Sequence, residues 1–303
     1  MINLRDMTLN TINFSDDHTK PLPLYSYAEI PHFMQGNPYI THGYRAFLSS
    51  GQCVKSLCRW SNETLNVWTH IFGFFLFLGL TIYDNTVVIP YYQGSTFDHV
   101  IYTGFLACYQ FAMFASAGYH LFSGANEDVY KRWFSIDLAG ISVGILGCYI
   151  PGIYYAYCCF TFWRDIYLMI ATALILVTFV VQMHPRFLTA HWYTRRLMLF
   201  TAMVGFGLAP TIHWVYLYGG LNTPIVKMML PRVVVLYLLG FTALVFFATK
   251  FPEICFPGKL DYIGSSHQLW HILVVIAFLW WHQTGVVMME YTHNFDVCSG
   301  LGT

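Results

Sequence analysis

Long runs of apolar residues alternate with short polar stretches along most of this chain. Seven of the runs approach 20 predominantly apolar residues, the length that a helix needs to cross the hydrocarbon core of a bilayer. Turn-forming residues such as Pro90, Pro185 and Pro257 lie between them. The pattern predicts seven membrane-spanning helices, near residues 65–83, 99–122, 136–157, 166–183, 197–217, 233–249 and 267–289.

Composition supports the same fold class. Of 303 residues, 56% are hydrophobic and only 10% are charged, against about a quarter charged in soluble domains. A soluble chain this poor in charge would expose large apolar patches. The 15 basic and 15 acidic residues cancel, which excludes a nucleic-acid-binding protein because that class needs excess positive charge. We predict an all-α integral membrane protein: a cytosolic segment 1–64, a seven-transmembrane helix bundle 65–289 and a luminal tail 290–303.

Lysine and arginine are unevenly distributed among the predicted loops. Twelve of the 15 precede the first span or lie in the loops after the second, fourth and sixth spans. Only Arg164, Lys227 and Arg232 lie on the opposite side. Because cytosolic loops carry an excess of basic residues, this asymmetry predicts a cytosolic N-terminus and a luminal or extracellular C-terminus.

Few ionisable residues interrupt the spans, and each needs a reason because a charge at the bilayer centre costs at least about 2.5–3.5 kcal/mol. In the predicted orientation, the second span ends at the cytosolic face with His120. The third and seventh spans begin at that face, with Asp137 and with His267 and His271. His70, near the start of the first span, falls at the same level. We therefore expect these five side chains at one depth of the membrane.

The spacing of these residues suits a metal site. His267 and His271 lie four residues apart, on one face of a helix, and so do Ser116 and His120. Three imidazoles with an open fourth position are typical of catalytic zinc. Asp137 would then be a fourth ligand, hold a water at the metal or act as its base. Structural roles stay open: histidines at helix ends are commonly interfacial, and Asp137 suits the N-cap of the third helix.

The remaining histidines within the spans are given structural roles. His70 closely follows a capping-type sequence at the start of the first span, so it is left outside the predicted site. His213 and His282 lie deeper or nearer the other face, and we expect them to form hydrogen bonds between helices.

The eight cysteines contain no CxxC pair, so neither a zinc knuckle nor a disulfide framework is predicted. Three of them lie on the predicted luminal side, where pairing is open. They are Cys158, Cys159 and Cys298.

At this point the residues match a known family. The chain resembles the progestin and adipoQ receptor family from about Pro38 to His282, with its motifs in the same order. The matching motifs are Asn37-Pro38-Tyr39-Ile40, Gly43-Tyr44-Arg45, Ser61-Asn62-Glu63-Thr64 with Asn66, Trp68 and His70, Ser116 with His120, Asp137 with Gly140, and Ser265-Ser266-His267-Gln268 with His271.

The resemblance implies a zinc ion held by His120 on the second helix and by His267 and His271 on the seventh. It implies that Asp137 holds a water at the zinc and that Ser116, one turn before the first ligand, supports the site. It also implies seven spans with a cytosolic N-terminus, in agreement with the distribution of basic residues.

Within the family the chain is most similar to a Golgi member that traps Raf kinase. This implies a Golgi membrane protein that sequesters Raf kinase and negatively regulates Ras–Raf–MEK–ERK signalling, with a structural zinc. Other relatives imply a zinc-dependent intramembrane hydrolase of ceramide-type lipid amides, with Asp137 as the catalytic residue, or an adiponectin-type receptor. The same residues serve each hypothesis, so the sequence does not separate them.

The segment 1–64 carries a set of aromatic and apolar residues that suit a partner-binding surface, since aromatics are frequent interface hot spots. Packing against the helix bundle is an equally good interpretation. The residues concerned are Tyr25, Tyr27, Ile30, Phe33, Tyr39 and Tyr44.

The orientation can be tested at the glycosylation sequence Asn62-Glu63-Thr64. A cytosolic Asn62 never meets the luminal transferase, so we expect it to be unmodified and the protein's electrophoretic mobility to match that of Asn62→Gln. A glycosidase-sensitive shift that is lost in Asn62→Gln would overturn the predicted orientation.

Overall fold

The computed structural model describes residues 22–182, 184–295 and 297–298. Seven of its helices are long and apolar enough to cross a membrane, which confirms the predicted seven-helix architecture. We call them the first to seventh spans, and the face at which the first span begins the N-terminal face. The spans are Thr64–Tyr91, Thr96–Phe122, Glu127–Ala156, Thr161–Gln182, Tyr193–Leu217, Pro224–Thr249 and Ser266–Asn294.

The third span begins at Glu127, nine residues before the predicted start. Its N-cap is Asn126, whose side-chain oxygen accepts a hydrogen bond from the backbone N–H of Val129 at 3.0 Å. The charged first turns carry no hydropathy signal, yet they form helix once capped. Asp137 therefore lies in the third turn, so the interpretation of Asp137 as an N-cap is wrong. The loop between the second and third spans is residues 123–126, shorter than the dozen expected.

Two other spans are irregular. The first is α-helical over Thr64–Tyr83, passes through a π-helical turn at Asp84–Val88 and ends with Ile89–Tyr91. The fifth consists of Tyr193–Phe206 and Leu208–Leu217, which meet at Gly207. Sequence periodicity does not report such interruptions, because both segments remain apolar across them.

The second and third spans form a close antiparallel hairpin. A Cβ added at Gly140 would lie 3.0 Å from the Cβ of Ala115, and one at Gly147 would lie 2.9 Å from the Cβ of Cys108. Small residues at such positions let two helix backbones approach within the membrane. The hairpin brings Asp137 next to the second span at the level of Ser116.

Residues 22–63 and the connector 250–265 together form a cap on the N-terminal face. Asp261 is 4% exposed and accepts hydrogen bonds from the backbone N–H groups of Thr41 at 2.7 Å and His42 at 3.0 Å. Glu253 is fully buried and accepts from Asn37 Nδ2 at 3.0 Å and from the backbone N–H of Ser266 at 2.7 Å. Two carboxylates of the connector thus fasten the N-terminal segment to the start of the seventh span.

Most of the aromatic residues considered for partner binding pack within the protein. Ile30 and Tyr44 belong to a small core of the cap, against which Tyr25 and Tyr27 pack. The Phe33 ring lies 5.2 Å from that of Tyr130 on the third span, measured between centroids. The structure therefore favours packing as their role.

The half of the bundle toward the opposite, C-terminal face contains a buried hydrogen-bonded Asp–His pair, and the face itself contains a disulfide. His282 Nε2 lies 2.6 Å from Asp84 Oδ2, with both side chains at most 2% exposed. Cys159, between the third and fourth spans, forms a disulfide with Cys298 beyond the seventh. His282 has the inter-helix contact expected for a structural histidine.

Removing the buried Asp84 carboxylate should destabilise the protein much more than removing the exposed Asp165 carboxylate. Asp84→Ala leaves a buried imidazole without its partner and is expected to reduce the free energy of unfolding by about 3–5 kcal/mol. The matched control is Asp165→Ala, because the Asp165 side chain is 60% exposed beside Arg164. An exposed pair contributes at most about 1 kcal/mol. Unfolding of the detergent-solubilised protein measures both, and equal losses would contradict the prediction.

Candidate metal centre

Three imidazoles from the second and seventh spans meet near the N-terminal face. The Nε2 atom of His267 lies 3.1 Å from His120 Nε2 and 3.2 Å from His271 Nε2. His120 and His271 are buried, with 3% and 1% of their surface exposed. The structure therefore brings together the three histidines that were predicted from the sequence as metal ligands.

The local helix geometry explains this arrangement. His267 and His271 occupy successive turns of the seventh span, which begins at Ser266. The buried Glu253 accepts the backbone N–H of Ser266 and so positions that first turn. His120 lies in the last turn of the second span, which runs antiparallel to the third. The end of the second span and the start of the seventh span thus place their imidazoles at the same depth.

The donor set fits a zinc ion. Zinc–nitrogen bonds of about 2.0–2.1 Å in tetrahedral geometry place two ligand nitrogens about 3.3 Å apart. The observed separations of 3.1 and 3.2 Å are close to that value. His120 Nδ1 lies 2.7 Å from Glu63 Oε2 and donates to that carboxylate. Its Nε2 therefore remains the nitrogen that faces the other two rings.

Glu63 contacts the candidate centre through His120, although the sequence interpretation did not place it among the site residues. Burial alone raises the pKa of its carboxyl, but the His120 imidazole, the Asn66 amide and the Arg45 guanidinium outweigh burial and lower that pKa to about 2. The carboxylate is therefore ionised and orients the His120 ring. Carboxylates that orient an imidazole ring commonly support metal-binding histidines. Asn66 follows Glu63 by three residues and donates a hydrogen bond to its carboxylate, and this spacing was visible in the sequence.

Asp137 lies near His120 but is not part of the group of mutually adjacent ligand atoms that the three histidines form. Its carboxyl interacts with the Ser116 hydroxyl and with the His120 imidazole. Ser116 is buried, one helical turn before His120. This arrangement suits a role for Asp137 next to a metal better than a role as a direct fourth ligand.

His70, which shares the predicted depth but was left outside the predicted site, contacts one of the three histidines. Its ring stacks on that of His271 with centroids 3.8 Å apart and an angle of 19° between the planes. His213, in contrast, lies in the fifth span and contacts Tyr167, whose Oη is 3.0 Å from His213 Nδ1. No periodic pattern along the sequence reveals the contact between His70 and His271, because the two residues lie on different helices, the first and seventh spans.

A second cluster of metal-ligand atoms comprises Cys158, Cys159 and Cys298. Two of the three sulfurs are joined in the disulfide Cys159–Cys298. Cys158 keeps a free thiol, with its Sγ 3.7 Å from that of Cys159. The disulfide resolves the pairing that the sequence left open.

Known proteins match this chain over most of its length. Residues 58–282 match the family model described as haemolysin-III related. The chain is 49% identical over 272 residues to progestin and adipoQ receptor family member 3 of Homo sapiens, covering 89% of this chain and 88% of that protein. The Mus musculus protein of the same name matches equally well. Heptahelical transmembrane protein 1 of Arabidopsis thaliana is 30% identical over 276 residues, covering 88% of this chain and 82% of that protein.

The family model covers the helix bundle from just before the first span to the middle of the seventh. It therefore includes the second and seventh spans together with their three converging histidines. The seven-span fold and the extent of these matches lead to one conclusion: the chain belongs to the progestin and adipoQ receptor family of haemolysin-III-related membrane proteins.

Proposed function

We propose that His120, His267 and His271 bind one zinc ion that ties the second span to the seventh. The observation that carries this proposal is the approach of their Nε2 atoms to 3.1 and 3.2 Å. Buried imidazole nitrogens at that separation need a shared proton or cation. Glu63, through its hydrogen bond to His120 Nδ1, would fix the orientation of the first ligand.

We propose that the N-terminal face is cytosolic. The distribution of basic residues supports this orientation, and the cysteines agree with it. The disulfide Cys159–Cys298 lies at the C-terminal face, and disulfides persist in oxidising compartments such as the secretory lumen. Cys53, Cys58 and Cys255, at the N-terminal face, are free thiols.

For the biological role, we propose a Golgi membrane protein that holds Raf kinase away from the plasma membrane and so dampens Ras–Raf–MEK–ERK signalling. The support is the resemblance of its motifs to the Golgi member of the family, together with 49% identity over 272 residues to progestin and adipoQ receptor family member 3. In this role the zinc is structural, and the cap supplies the surface that meets the kinase.

Exposed apolar residues of the cap are the best candidates for that surface. Phe47 and Val54 are 45% and 51% exposed, whereas the core of the cap already uses Ile30 and Tyr44. Exposed apolar groups surrounded by polar residues are typical of protein interaction sites.

A ceramidase-like hydrolase is the second candidate, and the position of Asp137 favours it. Zinc bound at the three histidines would supply Lewis acidity toward an amide carbonyl and lower the pKa of water. The Asp137 carboxyl, beside Ser116 and His120, would accept the proton of the attacking water. Ser116 would orient that carboxyl.

The interior cavity gives the hydrolase less support. A cavity of about 90 Å³ lies among the third, fifth, sixth and seventh spans, where Trp281 lines it. Trp281 is ten residues from His271, or about 15 Å along the helix. This cavity is smaller than the about 150 Å³ that accommodates benzene and lies away from the three histidines, so it does not itself provide a site for an acyl chain at the metal centre. We therefore place the scaffold first.

Metal analysis tests the zinc site directly. We expect about one zinc per purified chain, loss of the metal in His271→Ala, and full retention in His213→Ala, a histidine outside the centre. Glu63→Gln should weaken zinc affinity by about 10- to 100-fold. A native protein without zinc would contradict the proposal, and so would equal losses in the two histidine variants.

Raf capture and ceramide turnover by the full chain in nanodiscs distinguish the two functions. The scaffold predicts that Phe47→Ala with Val54→Ala weakens Raf capture by at least about tenfold, since one hot spot contributes at least 1–2 kcal/mol. Tyr216→Ala, exposed near the opposite face, should capture normally. Absence of capture by the native chain would overturn the scaffold. Metal-dependent release of fatty acid that is lost in both Asp137→Ala and His271→Ala would establish the hydrolase.

A further inference from the structure

The connector between the fourth and fifth spans concentrates positive charge. From Ile166 to Pro252 the sequence contains no acidic residue. Within this stretch, the connector and the first turn of the fifth span carry three arginines and two histidines. They are His184, Arg186, His191, Arg195 and Arg196.

One of these arginines is structural. Arg196 is 8% exposed, and its Nη1 donates to the backbone carbonyl oxygens of Phe187 and, at 2.8 Å, Thr189. Its guanidinium also lies 5.4 Å from the centroid of the Phe134 ring on the third span. Arg196 thereby holds the two short 3-10 turns of the connector in a defined shape.

The other two arginines are exposed. Neither Arg186 nor Arg195 forms an ion pair with any described residue. Arg195 lies 4.6 Å from the centroid of the Trp192 ring, which leaves the edge of its guanidinium free to donate hydrogen bonds. The exposed His184 accepts the backbone N–H of Arg186 at Nδ1, at 3.2 Å, and so helps to fix the turn from which Arg186 projects.

The connector also lies where lipid headgroups lie. It follows Gln182 at the end of one span and leads into Tyr193 at the start of the next. Trp192 has the amphipathic ring that is enriched at membrane–water interfaces. Anionic headgroups attract basic residues at this level, by an amount that falls within a Debye length of the surface.

We propose that Arg186 and Arg195, aided by His184 and His191, bind a phospholipid headgroup that carries a phosphomonoester, as phosphoinositides do. A guanidinium donates two parallel hydrogen bonds to phosphate oxygens. A phosphomonoester carries about 1.5 to 2 negative charges at neutral pH, which matches two exposed arginines better than the single net charge of phosphatidylserine. This site is independent of the zinc centre and of kinase binding.

Lipid retention by the full chain tests the site. The protein is placed in phosphatidylcholine nanodiscs containing a minor fraction of either phosphatidylinositol 4-phosphate or phosphatidylserine, and bound lipid is measured by native mass spectrometry. We expect selective retention of the phosphoinositide. Arg186→Gln with Arg195→Gln should weaken retention by roughly 30-fold, from the contribution of two basic residues near an anionic surface. Arg186→Lys with Arg195→Lys should give an intermediate loss, because charge remains without the planar fork.

Lys131→Gln is the matched control, because Lys131 is basic and exposed at the same face but already pairs with Glu127 at 2.7 Å. We expect it to retain the lipid as the native protein does. An equal loss in this control, or equal retention of phosphatidylserine, would overturn the proposal. Binding of soluble inositol phosphate as tightly as the lipid would also overturn it, because the ligand would then not be a membrane component. An unchanged thermal unfolding midpoint verifies that each variant is folded.

Discussion

The approach of three imidazole nitrogens within a membrane protein is the constraint on which the rest of this structure depends. Their Nε2 atoms lie 3.1 and 3.2 Å apart around His267, and such polar atoms are costly to bury without a partner. The second span must therefore hold His120 at the same depth as the start of the seventh. The close hairpin with the third span fixes one side of this arrangement, and Glu253 fixes the other.

The cap continues the same network. Arg45 donates from Nη2 to the backbone carbonyl of His120 at 2.7 Å, and Glu63 accepts from the imidazole of the same residue at 2.7 Å. Cap and centre are thus joined through one histidine. A partner that moves the cap would consequently alter the contacts that hold His120 in place.

The two faces of the bundle have different chemistry. The N-terminal face holds the three histidines and most basic residues, whereas the C-terminal face holds the disulfide Cys159–Cys298 beside the free thiol of Cys158. Basic connectors thus lie at one face and a covalent link at the other. The proposed orientation accounts for both distributions with a single assumption.

The sequence by itself determined the number of spans, because a helix is the segment that satisfies its own backbone hydrogen bonds in lipid and its length is visible as hydropathy. It also nominated His120, His267 and His271, since spacing and predicted topology suffice to place them at one depth. The tertiary structure alone decided the support of His120 by Glu63, the stacking of His70 on His271 and the burial of aromatic residues in the cap. These features rest on contacts across long separations, 57 residues for Glu63 and His120 and 220 for Thr41 and Asp261, and no local periodicity encodes contacts of that kind.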